Sequence, residues 1–306
     1  MLFLSQVLEK LVCPAYFGRF HQKMKVFSFE IGGSIMKCRG YKTRLFACLM
    51  VIAMGLMQGV PQVATATRNP DPVSQALQQK KIALVIDDFG NNMKGTEQML
   101  KLPISFTVAV MPFLPTTKQD AEMAYKLGHD VIVHMPMEPK SGRASWLGPG
   151  AIMTSMSDQE IRKRLEAAIQ EVPHAIGMNN HMGSKVTGDE RVMRVVLQVC
   201  KERGLFFLDS HTNYHTVAPR IARELGVPIA ENQMFLDDSI TVKHISGQVR
   251  KVEAFMQNHD QCIVIGHVGT GGVTTASILA GSLPKMKSMF QFVRVAEFAK
   301  AHKSDK

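Results

Sequence analysis

Seven short apolar runs recur along the last three quarters of the chain, at residues 82–86, 104–110, 130–134, 175–178, 205–208, 227–230 and 262–266. Most are too brief for a buried helix and too continuously apolar for a strand with one face in water. Runs of that kind belong to a parallel sheet covered on both sides. The stretches between them read as helices. Ser157 and Glu160 form a capping box ahead of Ile161, Leu165, Ala168, Ile169 and Val172, which share one face at 3.6-residue spacing. Val192, Val195, Val196 and Val199 repeat the pattern before Gly204, and Ala121, Ala124 and Leu127 do so before Gly128. Each glycine stands where a helix ends. Strand and helix therefore alternate, which predicts either a βα barrel or an open doubly wound sheet. No Gly-x-Gly-x-x-Gly follows the first strand, so the dinucleotide-binding version loses ground. With 306 residues, 45% hydrophobic and 20% charged, the chain has room for one large α/β domain.

The first 66 residues have another character. From Met36 a basic stretch (Lys37, Arg39, Lys42, Arg44) leads into an apolar run at 45–57 and then to Ala64-Thr65-Ala66. Those are the three regions of a secretory signal in their usual order. The expected organisation is an N-terminal extension and signal peptide over 1–66 with initiation at Met36, a linker over 67–80, and one domain over 81–306. The apolar run is short for a membrane-spanning helix, which needs about 20 residues. A periplasmic or otherwise extracytoplasmic protein beginning near Thr67 follows.

The formal charge of +10 suggests nucleic acid until that segment is removed. Residues 67–306 hold 28 Lys and Arg against 24 Asp and Glu, a net +4, with no basic cluster interleaved with aromatics. Nucleic acid is not an expected partner. Two cysteines, Cys200 and Cys262, remain beyond the signal; Cys200 closes a helical pattern and Cys262 opens an apolar strand. Two buried thiols is the first expectation, and a disulfide between them the alternative that an oxidising compartment permits.

Acids and histidines fall at the ends of the strands. Asp87-Asp88 ends the first, His134 the third, Asn179-Asn180-His181 the fourth, Asp209 and His211 the fifth, and His267 the seventh. In parallel α/β architectures the C-terminal strand ends form one face, where the chemistry sits. Taken singly, each has an ordinary structural use: an aspartate pair caps a helix, and a strand-end histidine is more often hydrogen-bonded than ligating. Five of seven strand ends carrying Asp or His make a shared site the better reading. Carboxylate oxygen with imidazole nitrogen suits a hard or borderline divalent ion. His129, His174, His244, His259 and His302 are expected in solvent, and His215 in a loop within reach of the mouth.

Four ordered segments, Val85-Ile86-Asp87-Asp88-Phe89-Gly90, His134-Met135-Pro136-Met137-Glu138-Pro139, Asn179-Asn180-His181-Met182-Gly183-Ser184 and Phe207-Leu208-Asp209-Ser210, resemble the successive signatures of the divergent polysaccharide deacetylases. The resemblance covers about residues 80–300. It implies a distorted (β/α) barrel of about seven parallel strands in a single domain, related to the carbohydrate esterases that deacetylate glycans. It further implies Asp87 as general base, Asp88 as a ligand of a divalent metal (zinc foremost), and His267 as general acid. In those esterases two histidines four residues apart complete the metal site, whereas Glu138 stands four residues beyond His134 here. Their arginine-containing segment is replaced by Asn179-Asn180-His181. The expected ligands are therefore Asp88, His134 and His181, with Asp209 orienting His267 or another site residue. Glu138 is expected either to support a site histidine or to touch substrate.

The expected function is metal-dependent removal of acetyl groups from an envelope polysaccharide, with an acetylated glycan as substrate. Two other readings stay open: a glycan-binding or regulatory envelope protein without activity, and a metal-dependent phosphodiesterase on the same barrel. An envelope protein partner is also open, and oligomeric state has no signal in the sequence.

Overall fold

The computed structural model describes residues 27–31, 34–38 and 80–299, and the chain divides into two compact units, Met1–Arg68 and Asn69–Lys306. In the first unit, β1 (Phe27–Ile31) and β2 (Ser34–Cys38) pair antiparallel, from Phe27 opposite Cys38 to Ile31 opposite Ser34. The apolar run at 45–57, the small residues at 64–66, the linker up to residue 79, and His302 lie outside the described residues. Among the described residues no helix is long and apolar enough to cross a membrane.

The second unit is a parallel sheet curled into a half-barrel with seven helices around it. Its strands are β3 (Lys81–Phe89), β4 (Thr107–Val110), β5 (Asp130–Met137), β6 (Ala175–Met182), β7 (Phe206–Asp209), β8 (Ile229–Glu231), β9 (Met234–Phe235), β10 (Gln261–His267) and β11 (Gln291–Val293). They run in the order β8-β7-β6-β5-β4-β3-β10-β9. β11 pairs parallel with the start of β3, and β4 pairs with β3 from Val85 onward. All seven runs expected as strands are strands. The two additional ones, β9 and β11, are two and three residues long, too short to leave a hydropathy pattern.

Alternation along the strands feeds two cores. Ile82, Leu84 and Ile86 face the helices, while Ala83 and Val85 join Ala109, Ile132, Leu208 and Ile265 inside the curl. Fully burying each large aliphatic side chain stabilises by about 1.5–3 kcal/mol. Only Asn232 and Gln233 separate β8 from β9, the two ends of the strand order. So short a link spans about 10 Å at most, so the sheet must curl until its ends approach. Gln233 spans that seam: its N–H donates to the Ile263 carbonyl at 3.1 Å and its side-chain oxygen accepts from Ile263 N at 2.6 Å.

The helices are α1 (Thr96–Leu100), α2 (Thr117–Lys126), α3 (Asp158–Glu171), α4 (Glu190–Glu202), α5 (Ala218–Leu225), α6 (Val242–Asn258) and α7 (Gly272–Met289). The capping box before α3 is present: Glu160 N donates to Ser157 Oγ, and Ser157 N donates back to the Glu160 carboxylate. α4 buries Val192, Val196 and Val199, with Val195 only partly covered. Ala121 and Ala124 are buried in α2, but Leu127, read as part of that apolar face, is 52% exposed. Cys200 and Cys262 are free and buried, and burial pushes both thiols up to about 12, so they are inert.

His129 departs from expectation. It is buried rather than solvated, with Nε2 3.2 Å from the Leu100 carbonyl and Nδ1 accepting from Phe106 N. The turn between α1 and β4 folds over the start of β5 and encloses the ring.

Candidate active site

β3 and β4 pair in register from Val85 to Ile86, and then Phe89 pairs with Val110. Three steps on β3 match two on β4, so one extra residue is inserted at the Asp87-Asp88 pair. Asp88 takes the left-handed conformation at φ 71°. Neighbouring strand residues normally point to opposite faces. The bulge breaks that alternation and lets both carboxylates approach the same imidazole: Asp87 Oδ2 and Asp88 Oδ1 lie 3.6 and 3.3 Å from His134 Nε2. Gly90 completes the turn at φ 121°, and a Cβ there would stand 2.8 Å from the Met111 carbonyl oxygen.

His134 on β5 is opposite Asn179 on β6, and His181 lies two residues further along the same face. Asp88 Oδ1 is 3.1 Å from His181 Nδ1, and the two imidazole nitrogens are 3.1 Å apart. The three expected ligands are thus brought together, and they form a group able to hold a metal ion.

Hydrogen bonds behind the cluster fix which ring nitrogens carry protons. His181 Nε2 lies 2.9 Å from the Trp146 carbonyl, which only accepts, so Nε2 holds the proton and Nδ1 is bare. Asn179 donates its amide to both oxygens of Asp87, at 3.1 and 3.2 Å, which turns its own oxygen toward His134 Nδ1 at 2.8 Å. Nδ1 of His134 must then donate, leaving Nε2 bare. Asp88 Oδ1 is itself buried with no hydrogen-bond partner.

With both rings neutral, as metal ligands must be, three lone-pair atoms face one another with no proton between them, which is costly unless a cation is shared. Their separations of 3.1–3.3 Å approach the edge of about 3.3–3.4 Å in a tetrahedron with bonds of about 2.0–2.1 Å. The donor set fits a zinc-like divalent ion.

The electrostatics agree with a concentrated acid–imidazole centre. Burial raises the Asp87 carboxyl above its ordinary range, although His134 and His267 oppose the rise. Burial also resists charge on Asp88, but the adjacent His134 and His181 imidazoles outweigh it and hold that carboxyl well below the usual range. His134 is raised: burial would lower it, and the adjacent Asp87 and Asp88 carboxylates prevail.

His267 ends β10 opposite Asp87 in register. Its Nδ1 lies 2.7 Å from Asp237 Oδ1, and its backbone N–H donates to Asp237 Oδ2, which also accepts from Thr275 Oγ1. Burial pulls this imidazole down, but the Asp237 hydrogen bond and the charges of Asp88, Asp237 and Asp87 raise it to about 9. It is an imidazolium at neutral pH, with Nδ1 committed to Asp237.

The expectation that Asp209 orients His267 is not met. Asp209 accepts from Thr216 Oγ1 at 2.6 Å and from His211 N at 2.8 Å, holding the loop after β7. Four strands separate β7 from β10 in the sheet order, so the carboxylate at the neighbouring end, Asp237 after β9, takes that place. Nor does Glu138 support a site histidine. It accepts from Thr154 N, Thr154 Oγ1 and Lys185 Nζ, each at 2.7 Å, and so ties two loops together. His211 turns to the Asn232 carbonyl, and His215 is exposed. Asp237, the bridging Asn179 and the Trp146 carbonyl were not assigned from sequence. The one signal for Asp237 was its place after the apolar triplet Met234-Phe235-Leu236.

A family model described as divergent polysaccharide deacetylase matches residues 84–299. The uncharacterized protein YibQ of Escherichia coli K12 is 36% identical over 204 residues, covering 67% of this chain and 63% of that protein. The chain thus spans less than two thirds of that relative's length. An uncharacterized protein of Haemophilus influenzae is 34% identical over 215 residues, 70% of this chain and 75% of that one. Among solved structures, an uncharacterized protein of Agrobacterium tumefaciens C58 superposes with a TM-score of 0.66 at 18% identity, over 72% of this chain and 89% of that one. That likeness is one of fold.

Proposed function

The chain belongs to the divergent polysaccharide deacetylase family, and from that membership and the geometry of its mouth we propose that it is a metal-dependent hydrolase that removes N-acetyl groups from a glycan. The observation that carries the reading is the convergence of three bare ligand atoms, from Asp88, His134 and His181, between a carboxylate and an imidazolium.

Hydrolysis of an N-acetyl group consumes one water and yields acetate and an amine. Asp88, His134 and His181 would hold the divalent ion, which supplies Lewis acidity that activates water and polarises the acetyl carbonyl. Asp87 accepts the proton that the water loses as its oxygen bonds to the acetyl carbon. Asn179 keeps that carboxylate aimed by donating to both its oxygens, and these bonds from a neutral amide lower the carboxyl less than the His134 and His267 charges do. His267 gives a proton from Nε2 to the departing nitrogen as the C–N bond breaks, while Asp237 stabilises the imidazolium that must be ready beforehand.

A test follows from the donor set. Chelator-treated protein should release no acetate from an N-acetylated oligosaccharide, and stoichiometric zinc should restore release. Acetate release at full rate in metal-free protein overturns the reading. Failure of every N-acetylated glycan to yield acetate favours a glycan binder on the same site, for which the near-complete burial of Asp87, 1% exposed, is the specific argument.

The site of action is proposed from the N-terminal sequence alone: the signal-like segments between Lys37 and Ala66 argue for export and a mature start near Thr67. Intact-mass measurement on the envelope fraction should find that form. An uncut chain in the cytosol contradicts it.

A further inference from the structure

The loop between β5 and α3 lies over the mouth. Its Trp146 carbonyl holds His181, and positions 148 and 150 press against Met111, Pro136 and Phe113 at the ends of β4 and β5. Trp146 follows its carbonyl into this rim yet is 60% exposed. The Arg143 guanidinium stands over the indole, 5.7 Å from its centroid. Neither Arg143 nor Lys140 has a carboxylate within ion-pair distance among the described residues, and Lys140 Nζ is 3.3 Å from Asn213 Oδ1 in the loop after β7. Glu138, the nearest acid along the chain, is neutralised by Lys185. The other rim, near Asp237 and His267, presents Ile240 and Val273, both exposed, and Asp238 there is paired with His244. Unpaired cationic charge and an exposed aromatic ring thus lie together on the β5–β7 side.

An indole in water beside a reaction centre suits the apolar face of a pyranose ring, and a guanidinium held above an aromatic keeps its N–H groups free for a planar anion. We propose that Trp146 and Arg143 form a subsite for a sugar carrying a carboxylate, so that the preferred substrate is an acidic N-acetylated glycan. This rests on the deacetylase reading for the position of the acetylated sugar, but the subsite itself is a binding property.

Two hexasaccharides test it: one of N-acetylglucosamine alone, and one of hyaluronan, in which N-acetylglucosamine alternates with glucuronate. Affinity is measured by calorimetry at low ionic strength on the zinc-loaded full chain carrying Asp87→Asn, so that the sugars stay intact. The acidic sugar should bind about tenfold more tightly, a preference that shrinks as salt is added. Arg143→Gln should abolish the preference without weakening the neutral sugar, and Arg143→Lys should keep part of it. Trp146→Ala should weaken both sugars about five- to tenfold, and Trp146→Phe should recover most of that loss. The Trp146 carbonyl that orients His181 belongs to the backbone and survives each change, so zinc content should stay constant across the set. Equal affinities, a preference that outlives Arg143→Gln, or no binding of either sugar overturns the proposal. Acetate release by the parent is read separately: binding as expected without release sinks the deacetylase reading alone, and release without preference sinks the subsite alone.

Discussion

Asp237 holds His267 by two hydrogen bonds, one to the ring and one to the backbone, and is itself buried. The raised imidazole, at about 9, stays protonated through the neutral range. Because the folded value lies above the ordinary 6.5, the interaction contributes stability that is fully present below about pH 6.5 and lost as pH rises through about 9. Under the proposed mechanism the same sign governs activity, since proton donation to the leaving amine would fail once the ring is neutral. Asp237→Asn should move the alkaline limb of kcat/KM down by about 1–2 pH units, while zinc content is unaffected. An unshifted limb shows that His267 is not the acid. This carboxylate was hidden from sequence reading because it follows a strand of two residues. Asp209 was more visible, ending a clear apolar strand, but a strand's neighbours in the sheet are not written in its own residues. Asp88, His134 and His181 were legible because a parallel sheet sends every C-terminal strand end to one face, whichever order the strands take.

β3 carries the pair of acids only because its end is irregular. The extra residue at Asp87-Asp88, the left-handed Asp88 and the turn at Gly90 form one device, and Gly90 admits no side chain without strain against the Met111 carbonyl. Gly90→Ala should destabilise the fold by about 1–3 kcal/mol in denaturant unfolding and weaken zinc binding in parallel, since Asp88 is two residues away. An unchanged midpoint with unchanged zinc affinity contradicts the role given to this turn. By contrast, regular elements were well marked beforehand. The capping box at Ser157 announces α3, and the four valines of α4 lie on or near its buried stripe. Leu127 misled because α2 stops one residue earlier and the chain turns outward at Gly128.

The curled sheet brings into one mouth residues spread from Asp87 to His267, and it does so through apolar packing on both faces rather than through an ion. The class of fold was therefore readable from seven apolar runs. Its curl was not, because that depends on the two-residue link between β8 and β9, which becomes meaningful only once their places at opposite ends of the order are known. A framework independent of the site allows the chemistry to be removed one group at a time with the fold intact. Asp87 is the group whose loss separates proton transfer from metal binding. Acetate release from an N-acetylated glycan should be compared between the zinc-loaded parent and Asp87→Asn. The account predicts a fall of about 10²–10⁴-fold with zinc content unchanged, and equal rates in the two proteins would contradict it.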